Sequence, residues 1–207
     1  MAILKIYEFP DIVLSQKALP VEHAGKELRK VSENMIETMY HAPGIGLAAN
    51  QIGLLKRVLV FDTEYESDET PSGMTVIRKK DPIVLLNPEV VKHEGTITLE
   101  EGCLSVPGYN ADVKRFNKIT VKYQDLDGVT KTLKADGLQA VCIQHEIDHL
   151  EGKLFIDRLS PLKKEMARKK LIRERNESAL NDDFDDYEPK SLGAFSGAKK
   201  KSRNKEA

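Results

Sequence analysis

The amino-acid sequence predicts an α+β fold in which small antiparallel or mixed sheets pack around a central helix, with one further helix towards each end of the chain. Apolar residues recur at three- and four-residue intervals in three separate segments, which is the spacing of helices. Between the first two segments, several short runs have the apolar pattern of strands. A globular composition agrees with this prediction, since 40% of the 207 residues are hydrophobic and 31% are charged.

The first helix is predicted over about Pro20 to Tyr40 and is followed by strands. Charged residues separate its apolar residues, which are Leu28, Val31, Met35 and Met39. The helix-stopping pair Pro43-Gly44 ends it. Strands are predicted in three runs: Arg57–Phe61, Ile83–Leu86 and Gly95–Leu99.

Two segments of this middle region carry turn signals. A hairpin is predicted over Ile119–Leu133 because Asp127-Gly128, a strong turn signal, separates two alternating runs. The segment Asp62–Asp81 is charged and contains Pro-Ser-Gly, so we expect an exposed loop there.

The two remaining helices are predicted in the C-terminal third. The central helix should start at Asp136, a suitable N-cap, and end before Gly152. The third runs from Pro161 to about Glu177 and carries seven basic residues against two acidic ones between Pro161 and Asn176. We expect a thin apolar stripe to hold it to the domain: Leu162, Met166, Leu171 and Ile172.

The sequence is thus divided into one domain and a tail. Residues 1–177 form the predicted domain, with the basic helix at 160–177 as its last element. Residues 178–207 alternate acidic and basic blocks with Gly and Ser, and we expect a disordered charged tail there.

Composition and charge exclude several classes of protein. No apolar run approaches the roughly 18 residues of a membrane span, and the N-terminus lacks the pattern of a secretion signal. Two cysteines cannot build a disulfide framework, so a reducing compartment fits best. Residues 1–160 carry a net charge of −5 and residues 161–207 one of +4, and the acidic main part suits bulk nucleic-acid binding poorly.

The central helix contains His145-Glu146-Ile147-Asp148-His149, which is the strongest chemical signal in the sequence. Histidines at i and i+4 lie on one helical face about 6 Å apart along the axis, so both can bind one metal ion. The glutamate can then act as general base on water at the metal. The alternative is a pair of surface histidines, but the same face continues through Cys142, Val141 and Leu138 and should point inward.

Two histidines alone are too few for a catalytic metal site, which usually has three protein ligands. Cys142 lies about 10.5 Å along the helix axis from His149 and is better explained as a small core residue. A glutamate ligand, as in some metallopeptidases, is one option for the third position. Cys103 is the better candidate, because it follows a predicted strand and Gly102 beside it allows a close backbone approach.

The third notable segment is Gly44-Ile45-Gly46-Leu47-Ala48-Ala49-Asn50-Gln51. Its small side chains would let a substrate lie against exposed main chain. It lacks the Lys-Ser/Thr pair of a phosphate-binding loop. By itself it is more typical of a tight turn after the first helix.

Together these segments resemble the peptide deformylase family. That family is marked by Gly-x-Gly-x-Ala-Ala-x-Gln, Glu-Gly-Cys-Leu-Ser and Gln-His-Glu-x-Asp-His motifs, and this sequence has all three in the same order: Gly44–Gln51, Glu101–Ser105 and Gln144–His149. The resemblance extends over about residues 3–170 and does not include the tail.

The resemblance implies roles for named residues. Metal binding falls to Cys103, His145 and His149, and proton transfer as general acid and base falls to Glu146. Two donors would stabilise the oxyanion: the Gln51 side chain and the Leu104 backbone N–H. Substrate binding would involve the glycine segment and an apolar pocket beside the helix: Gly46, Ile45, Leu138, Val141 and Cys142. Glu101 and Arg115 resemble a family ion pair near that pocket.

The implied activity is metal-dependent hydrolysis that removes the formyl group from N-formylmethionine at the start of nascent chains and releases formate. The implied cofactor is one divalent ion, Fe²⁺, which Zn²⁺, Ni²⁺ or Co²⁺ can replace; ligand softness alone would favour zinc. We therefore expect a cytoplasmic enzyme that acts in protein biosynthesis and N-terminal processing. Its partners should be the N-formylmethionyl peptides of nascent chains, and we expect no membrane association. The basic third helix predicts electrostatic docking on the ribosome, against the alternative of a merely solvated helix.

Two other functions fit parts of the sequence. A metallopeptidase shares the histidine–glutamate pattern, but it leaves the Cys103 and Gln51 segments without a purpose. A ribosome- or RNA-binding module accounts for the basic third helix and Lys199–Lys201, but it does not account for the metal pattern.

Overall fold

The predicted α+β class is confirmed by the computed structural model. The structure describes the backbone of residues 2–69 and 75–185, and side chains within 2–66 and 78–177. Residues 1–173 form one compact unit. The described helices of the chain are α1 (Lys26–His41), α2 (Gly137–Leu150) and α3, which begins at Pro161 and continues to Asp185. Its strands are β1 (Gly46–Ala48), β2 (Val58–Phe61), β3 (Glu66–Glu69), β4 (Thr75–Lys79), β5 (Ile83–Cys103), β6 (Val106–Gln124) and β7 (Thr130–Asp136).

Five strands form an antiparallel sheet in the order β1-β2-β5-β6-β7. The runs predicted at 83–86 and 95–99 belong to the single long strand β5, which pairs with β6 down to Cys103 opposite Val106. The predicted hairpin is also present, since Gly128 adopts a positive φ of 77° in the turn between β6 and β7. The polar residues between the predicted runs hid their continuity.

The sheet lies between two helices. On β2, Leu59 and Phe61 face α2, whereas Val58 and Val60 face α1. Burial on both faces explains why this strand is an unbroken apolar run and does not alternate. The two faces position α2 against the inner side of the sheet, where the site is built.

The loop predicted over 62–81 is wrong, because β3 and β4 pair with each other there as a separate two-stranded sheet. The sequence of β3, Glu-Ser-Asp-Glu, has no apolar alternation that could reveal a strand. Its ladder is satisfied by backbone hydrogen bonds that do not depend on side-chain pattern.

The first helix begins at Lys26 and not near Pro20. The chain before it is extended and tied down, because the Asn87 side chain accepts from the Val21 N–H at 2.8 Å and donates to the Val21 carbonyl at 2.8 Å. Gly25 then forms the N-cap in an extended conformation. Long-range hydrogen bonds of this kind leave no local sequence signal.

The third helix packs on the domain more narrowly than expected. Leu171 and Ala167 are buried, but Leu162 and Met166 are 72% and 63% exposed, and Ile172 is exposed too. The expectation that these last three residues hold the helix is therefore wrong. The helix also continues to Asp185, eight residues beyond its predicted end at Glu177.

The rest of the predicted disordered tail, residues 186–207, lies outside the described residues, and the domain boundary at 177 stays a prediction. Within the part of the chain that the structure describes, no helix is long and apolar enough to cross a membrane.

Candidate active site

Three side chains from two distant segments meet at the end of β5. Cys103 is the last residue of that strand, and His145 and His149 lie on α2. One ligand atom of each lies within 4.8 Å of the others, and Cys103 Sγ is 3.2 Å from His149 Nε2. The structure thus brings together the three residues that the sequence pointed to as metal ligands. Cys142 is not part of this group.

The two histidines are held by the packing of α2. Their ring centroids are 5.1 Å apart, as the i, i+4 spacing requires, and the His145 ring stacks on Phe155 at 6.0 Å. Both are buried, so the alternative of two surface histidines does not apply.

Glu146 is a buried carboxylate that faces the same centre. It is 4% exposed, and its Oε2 atom has no hydrogen-bond partner among the described residues. Burial raises the pKa of Glu146 to about 7, although the nearby charges of His145 and Arg115 oppose the rise. A carboxyl with a pKa near neutrality is suited to accept a proton and return it.

Gly46 makes room for this carboxylate. A Cβ atom on Gly46 would lie 2.5 Å from Glu146 Oε1 and 2.9 Å from Cys142 Sγ, which is too close for either. The glycine is needed here for the close approach of β1 to α2. The segment also differs from the simple tight turn, because it forms β1 and then a 3-10 helix over Ala49–Ile52.

Gln51 lies on that short 3-10 helix and reaches into the site. Its Oε1 accepts from the Ala48 N–H at 2.8 Å, which orients the amide, and its Nε2 donates to Ser105 Oγ at 3.2 Å. The same Nε2 is 3.8 Å from Cys103 Sγ. The Ser105 N–H lies 3.4 Å from that sulfur and donates to it. Sequence reasoning missed Ser105 as a partner of both groups, although it belongs to the Glu-Gly-Cys-Leu-Ser motif.

A cleft of about 380 Å³ opens over these groups. Every residue predicted for the site lines it except His149, which is fully buried beneath. Val141 and Cys142 form its buried apolar wall, and Cys142 donates to the Ile45 carbonyl at 3.4 Å. Leu138, expected to point inward, is 49% exposed. It is the second residue of α2, and it lines the cleft with about half of its surface still exposed.

Behind the histidines lies a buried group of charged residues. Glu101 accepts from the Arg115 guanidinium through both oxygens, at 2.7 and 2.9 Å, and its Oε2 is 2.8 Å from His145 Nδ1. Burial alone would raise the pKa of Glu101, but the hydrogen bonds from Arg115 and His145 outweigh it and lower the pKa to about 2. The pair that the sequence placed near the methionine pocket therefore also supports a histidine.

Asp148 and Arg158 extend this group and were missed by sequence reasoning. Arg115 also donates to Asp148 Oδ2, and Arg158 binds the same carboxylate through two nitrogens. Asp148 had two signals, since it belongs to the Gln-His-Glu-x-Asp-His motif and lies three residues after His145 on α2.

The donor set fits a divalent transition metal. A thiol and two imidazoles converge from two separate elements, and Cys103 forms no disulfide. Glu146, whose Oε2 has no partner among the described residues, lines the same cleft. Thiolate and imidazole are ligands of zinc, iron, nickel and cobalt ions. Open space in the cleft leaves room for water and substrate beside them.

Comparison with known proteins decides the family. The sequence model described as polypeptide deformylase matches residues 3–165. The chain belongs to the polypeptide deformylase family. Among curated relatives, peptide deformylase 2 of Xanthomonas axonopodis pv. citri is 51% identical, and the alignment covers 86% of this chain and 100% of the relative.

Solved structures agree with the sequence relatives. A peptide deformylase from Legionella pneumophila is 46% identical, with a TM-score of 0.74, and the match covers 86% of this chain and 98% of that one. A class I type b peptide deformylase from Acinetobacter baumannii, solved with Met-Ala-Ser bound, is 31% identical with a TM-score of 0.66, over 76% of this chain and 99% of that one.

The predicted activity is thereby confirmed. The protein is a metal-dependent hydrolase that removes the N-formyl group from the formylmethionine of nascent peptides, and it acts in N-terminal processing during protein biosynthesis. The family match supports deformylation as the main function, and neither the metallopeptidase nor the RNA-binding module has comparable support.

Proposed function

We propose that Cys103, His145 and His149 hold one catalytic divalent ion, and that this ion is Fe²⁺ in the cell. The observation that carries the proposal is the convergence of these three donors next to a cleft that Glu146 also lines, with its Oε2 unpartnered among the described residues. Held by these residues, a divalent ion would act as a Lewis acid and would lower the pKa of water. Zn²⁺, Ni²⁺ or Co²⁺ would occupy the same ligands, and the choice of iron rests on the family.

Glu146 is the general base and then the general acid. It takes a proton from the attacking water, and the resulting nucleophile adds to the formyl carbonyl. It then gives the proton to the leaving amine, which releases formate and a free N-terminal methionine. Support for this role comes from its buried, unpartnered oxygen and its raised pKa of about 7.

Gln51 and the Leu104 backbone N–H stabilise the negative charge that develops on the formyl oxygen. Gln51 suits this role because the Ala48 N–H fixes its amide oxygen, its Nε2 lies near Cys103 Sγ, and the residue lines the cleft. Leu104 follows Cys103 directly and also lines the cleft. Loss of one such donor typically costs about 3–4 kcal/mol of transition-state stabilisation.

The substrate peptide adds to the free edge of β1. The Ile45 carbonyl accepts from the Asp62 N–H on the β2 side at 2.9 Å, so Gly46, the next residue, directs its main-chain groups away from β2. No described strand pairs with that second edge. The methionine side chain of the substrate then packs against the apolar wall formed by Val141 and Cys142, with Ile45 and Leu138 beside it.

The experiment that tests these roles is deformylation of formyl-Met-Ala-Ser after anaerobic loading with Fe²⁺. We expect formate release with one ion bound per chain, and no cleavage of casein under the same conditions. The tripeptide matches the Met-Ala-Ser bound to the Acinetobacter relative. Formate release at full rate by metal-free protein would contradict the proposed ion, and casein cleavage would favour the metallopeptidase alternative.

We further propose that the enzyme is cytoplasmic and docks on the ribosome through α3. The described part of this helix exposes Lys163, Lys169 and the apolar pair Leu162 and Met166, which gives an outer face that is both basic and apolar. Such a face suits rRNA phosphate and adjoining protein near the exit of the nascent chain.

The truncation that tests docking removes residues 178–207 only. Deleting all of 161–207 would also take away Ala167 and Leu171, which are buried in the core, and would confuse docking with folding. We expect the short deletion to keep ribosome co-sedimentation at low salt, so loss of binding on this deletion would move the docking site from α3 to the tail.

A further inference from the structure

A continuous chain of hydrogen bonds connects His145 to the protein surface. It runs from His145 Nδ1 to Glu101, from Glu101 to Arg115, from Arg115 to Asp148, and from Asp148 to Arg158. Each step is between 2.5 and 2.9 Å. These residues come from α2, β5, β6 and the short 3-10 helix Phe155–Arg158, so the chain joins four separate elements.

Exposure changes abruptly at the last member. The side chains of Glu101, Arg115 and Asp148 are 5%, 2% and 6% exposed, whereas that of Arg158 is 48% exposed. Arg158 therefore lies between this buried polar group and the solvent. Solvent would reach the Asp148 carboxylate through the space that the guanidinium fills.

The charges of the group balance only with Arg158 present. Glu101 and Asp148 contribute two carboxylates, and Arg115 and Arg158 contribute two guanidinium groups. Arg158 binds Asp148 through Nε at 2.9 Å and through a terminal nitrogen at 2.5 Å, which fixes the plane of the carboxylate. Asp148 in turn holds one terminal nitrogen of Arg115, and the other two nitrogens hold Glu101.

We propose that Arg158 is a positioning residue for the metal ligand His145, acting through Asp148, Arg115 and Glu101. A fixed Glu101 holds His145 Nδ1 and so points Nε2 at Cys103 and His149. Without Arg158, Asp148 has one partner, Arg115 can follow it, and the orientation of Glu101 and His145 is less restricted. The inference rests on the proposed ligand set.

The charge of Arg158 and its positioning role predict opposite effects of its removal on metal affinity. Removal of a positive charge near a cation site strengthens cation binding by Coulomb attraction. Loss of orientation weakens it, and partners behind a metal ligand typically affect metal affinity about 10- to 100-fold. Because Arg158 acts at the far end of the chain, we expect the lower part of that range or somewhat less.

The experiment loads the full-length protein with Co²⁺ and measures the rate of metal loss to a chelator, together with the visible absorption bands that report ligand geometry. We expect Arg158→Gln to lose cobalt about 3- to 10-fold faster than wild type and to change the bands. Arg158→Lys keeps the charge without the two-nitrogen contact, so it should restore the rate only in part.

Arg57→Gln is the matched control. Arg57 also pairs with a carboxylate at the C-terminal end of α2, that of Glu151, at 2.5 Å, and its side chain is 15% exposed. Within the described residues, no hydrogen bond or ion pair of Arg57 leads to His145. We expect it to lower the melting temperature of the metal-free protein without changing cobalt release.

The outcomes separate this inference from the proposed function. Cobalt release by Arg158→Gln at or below the wild-type rate would overturn the positioning role, and so would full restoration by lysine. A wild-type protein that binds no cobalt would instead overturn the ligand set itself.

Discussion

Helices α2 and α3 both carry many polar residues, but they use them in opposite ways. On α2, His145, Asp148 and His149 are buried, and each lies against a specific partner or the candidate metal centre. On α3, ion pairs such as Lys169 with Glu165 are exposed, with side chains 76% and 61% accessible. The polar residues of α2 therefore form the buried candidate site, whereas those of α3 form part of the exposed surface.

The difference lies in what water does for each group. A buried charge that loses its partner cannot be solvated, so single substitutions on α2 should have large and specific effects. An exposed pair is screened by salt and contributes about 0–1 kcal/mol, so single substitutions on α3 should have small and interchangeable effects. The following predictions test this contrast, from the largest expected effect to the smallest.

Cys103→Ala should lose bound metal and deformylase activity together. Two histidines alone provide too few ligands for a tight site. Metal content by elemental analysis, beside formate release, measures the effect. Cys142→Ser is the matched control and should keep the metal, because that residue packs in the cleft wall outside the ligand group; any loss of activity should come from packing of the methionine pocket and appear in KM. Full metal occupancy in Cys103→Ala would point to a glutamate as third ligand.

Glu146→Gln should keep the metal and lose turnover. The amide has the same shape but cannot accept the proton, and loss of general-base catalysis typically costs about 10² to 10⁴ in kcat. Elemental analysis and kcat, determined on the same preparation, separate the roles. A parallel loss of metal and activity would instead make Glu146 a ligand.

The metal-free protein should become less stable as the pH rises from about 4.5 to 7. Burial raises the folded-state pKa of Glu146 from 4.5 to about 7, so the folded state holds a proton that the unfolded state has already released. The stability that this proton contributes is complete below pH 4.5 and lost through pH 7, and amounts to about 3 kcal/mol.

The measurement for this pH effect is urea unfolding of metal-free wild type and Glu146→Gln across the pH range. Since glutamine does not titrate, its curve should lack this loss, and the difference between the two curves isolates Glu146. A difference that does not vary with pH would show that Glu146 titrates alike in both states.

Reversal of two charges on α3 should have the smallest effect. Lys163→Glu with Lys169→Glu should weaken ribosome co-sedimentation several-fold at low salt and leave kcat/KM for the tripeptide unchanged, because both lysines lie outside the cleft. Lys118→Glu with Lys134→Glu makes the same charge change on the exposed face of β6 and β7 and should leave binding intact. If both pairs of substitutions weakened ribosome binding equally, the binding would depend on the net charge of the protein and not on α3.

The sequence predicted those parts of the fold and site that have a local periodicity. His145 and His149 were found because the i, i+4 spacing is itself the geometry of the site, and Cys103 because a motif surrounds it. Arg158 and the second contact of Arg115 depend on how the 3-10 helix Phe155–Arg158 and α2 each pack against β5 and β6, which no local pattern encodes. The β3–β4 hairpin was missed for the same reason, since its backbone pairing does not require apolar side chains.

The separation of the metal-binding side chains along the chain has a consequence for metal exchange. Cys103 and His149 are 46 residues apart, and closing such a loop costs about 3–4 kcal/mol of chain entropy on top of a constant. Here β5, β6, β7 and α2 close the loop by pairing and packing, whereas in a zinc finger the ion does so. We therefore expect the chain to stay folded when a chelator strips the ion, so that one metal can replace another without a round of unfolding.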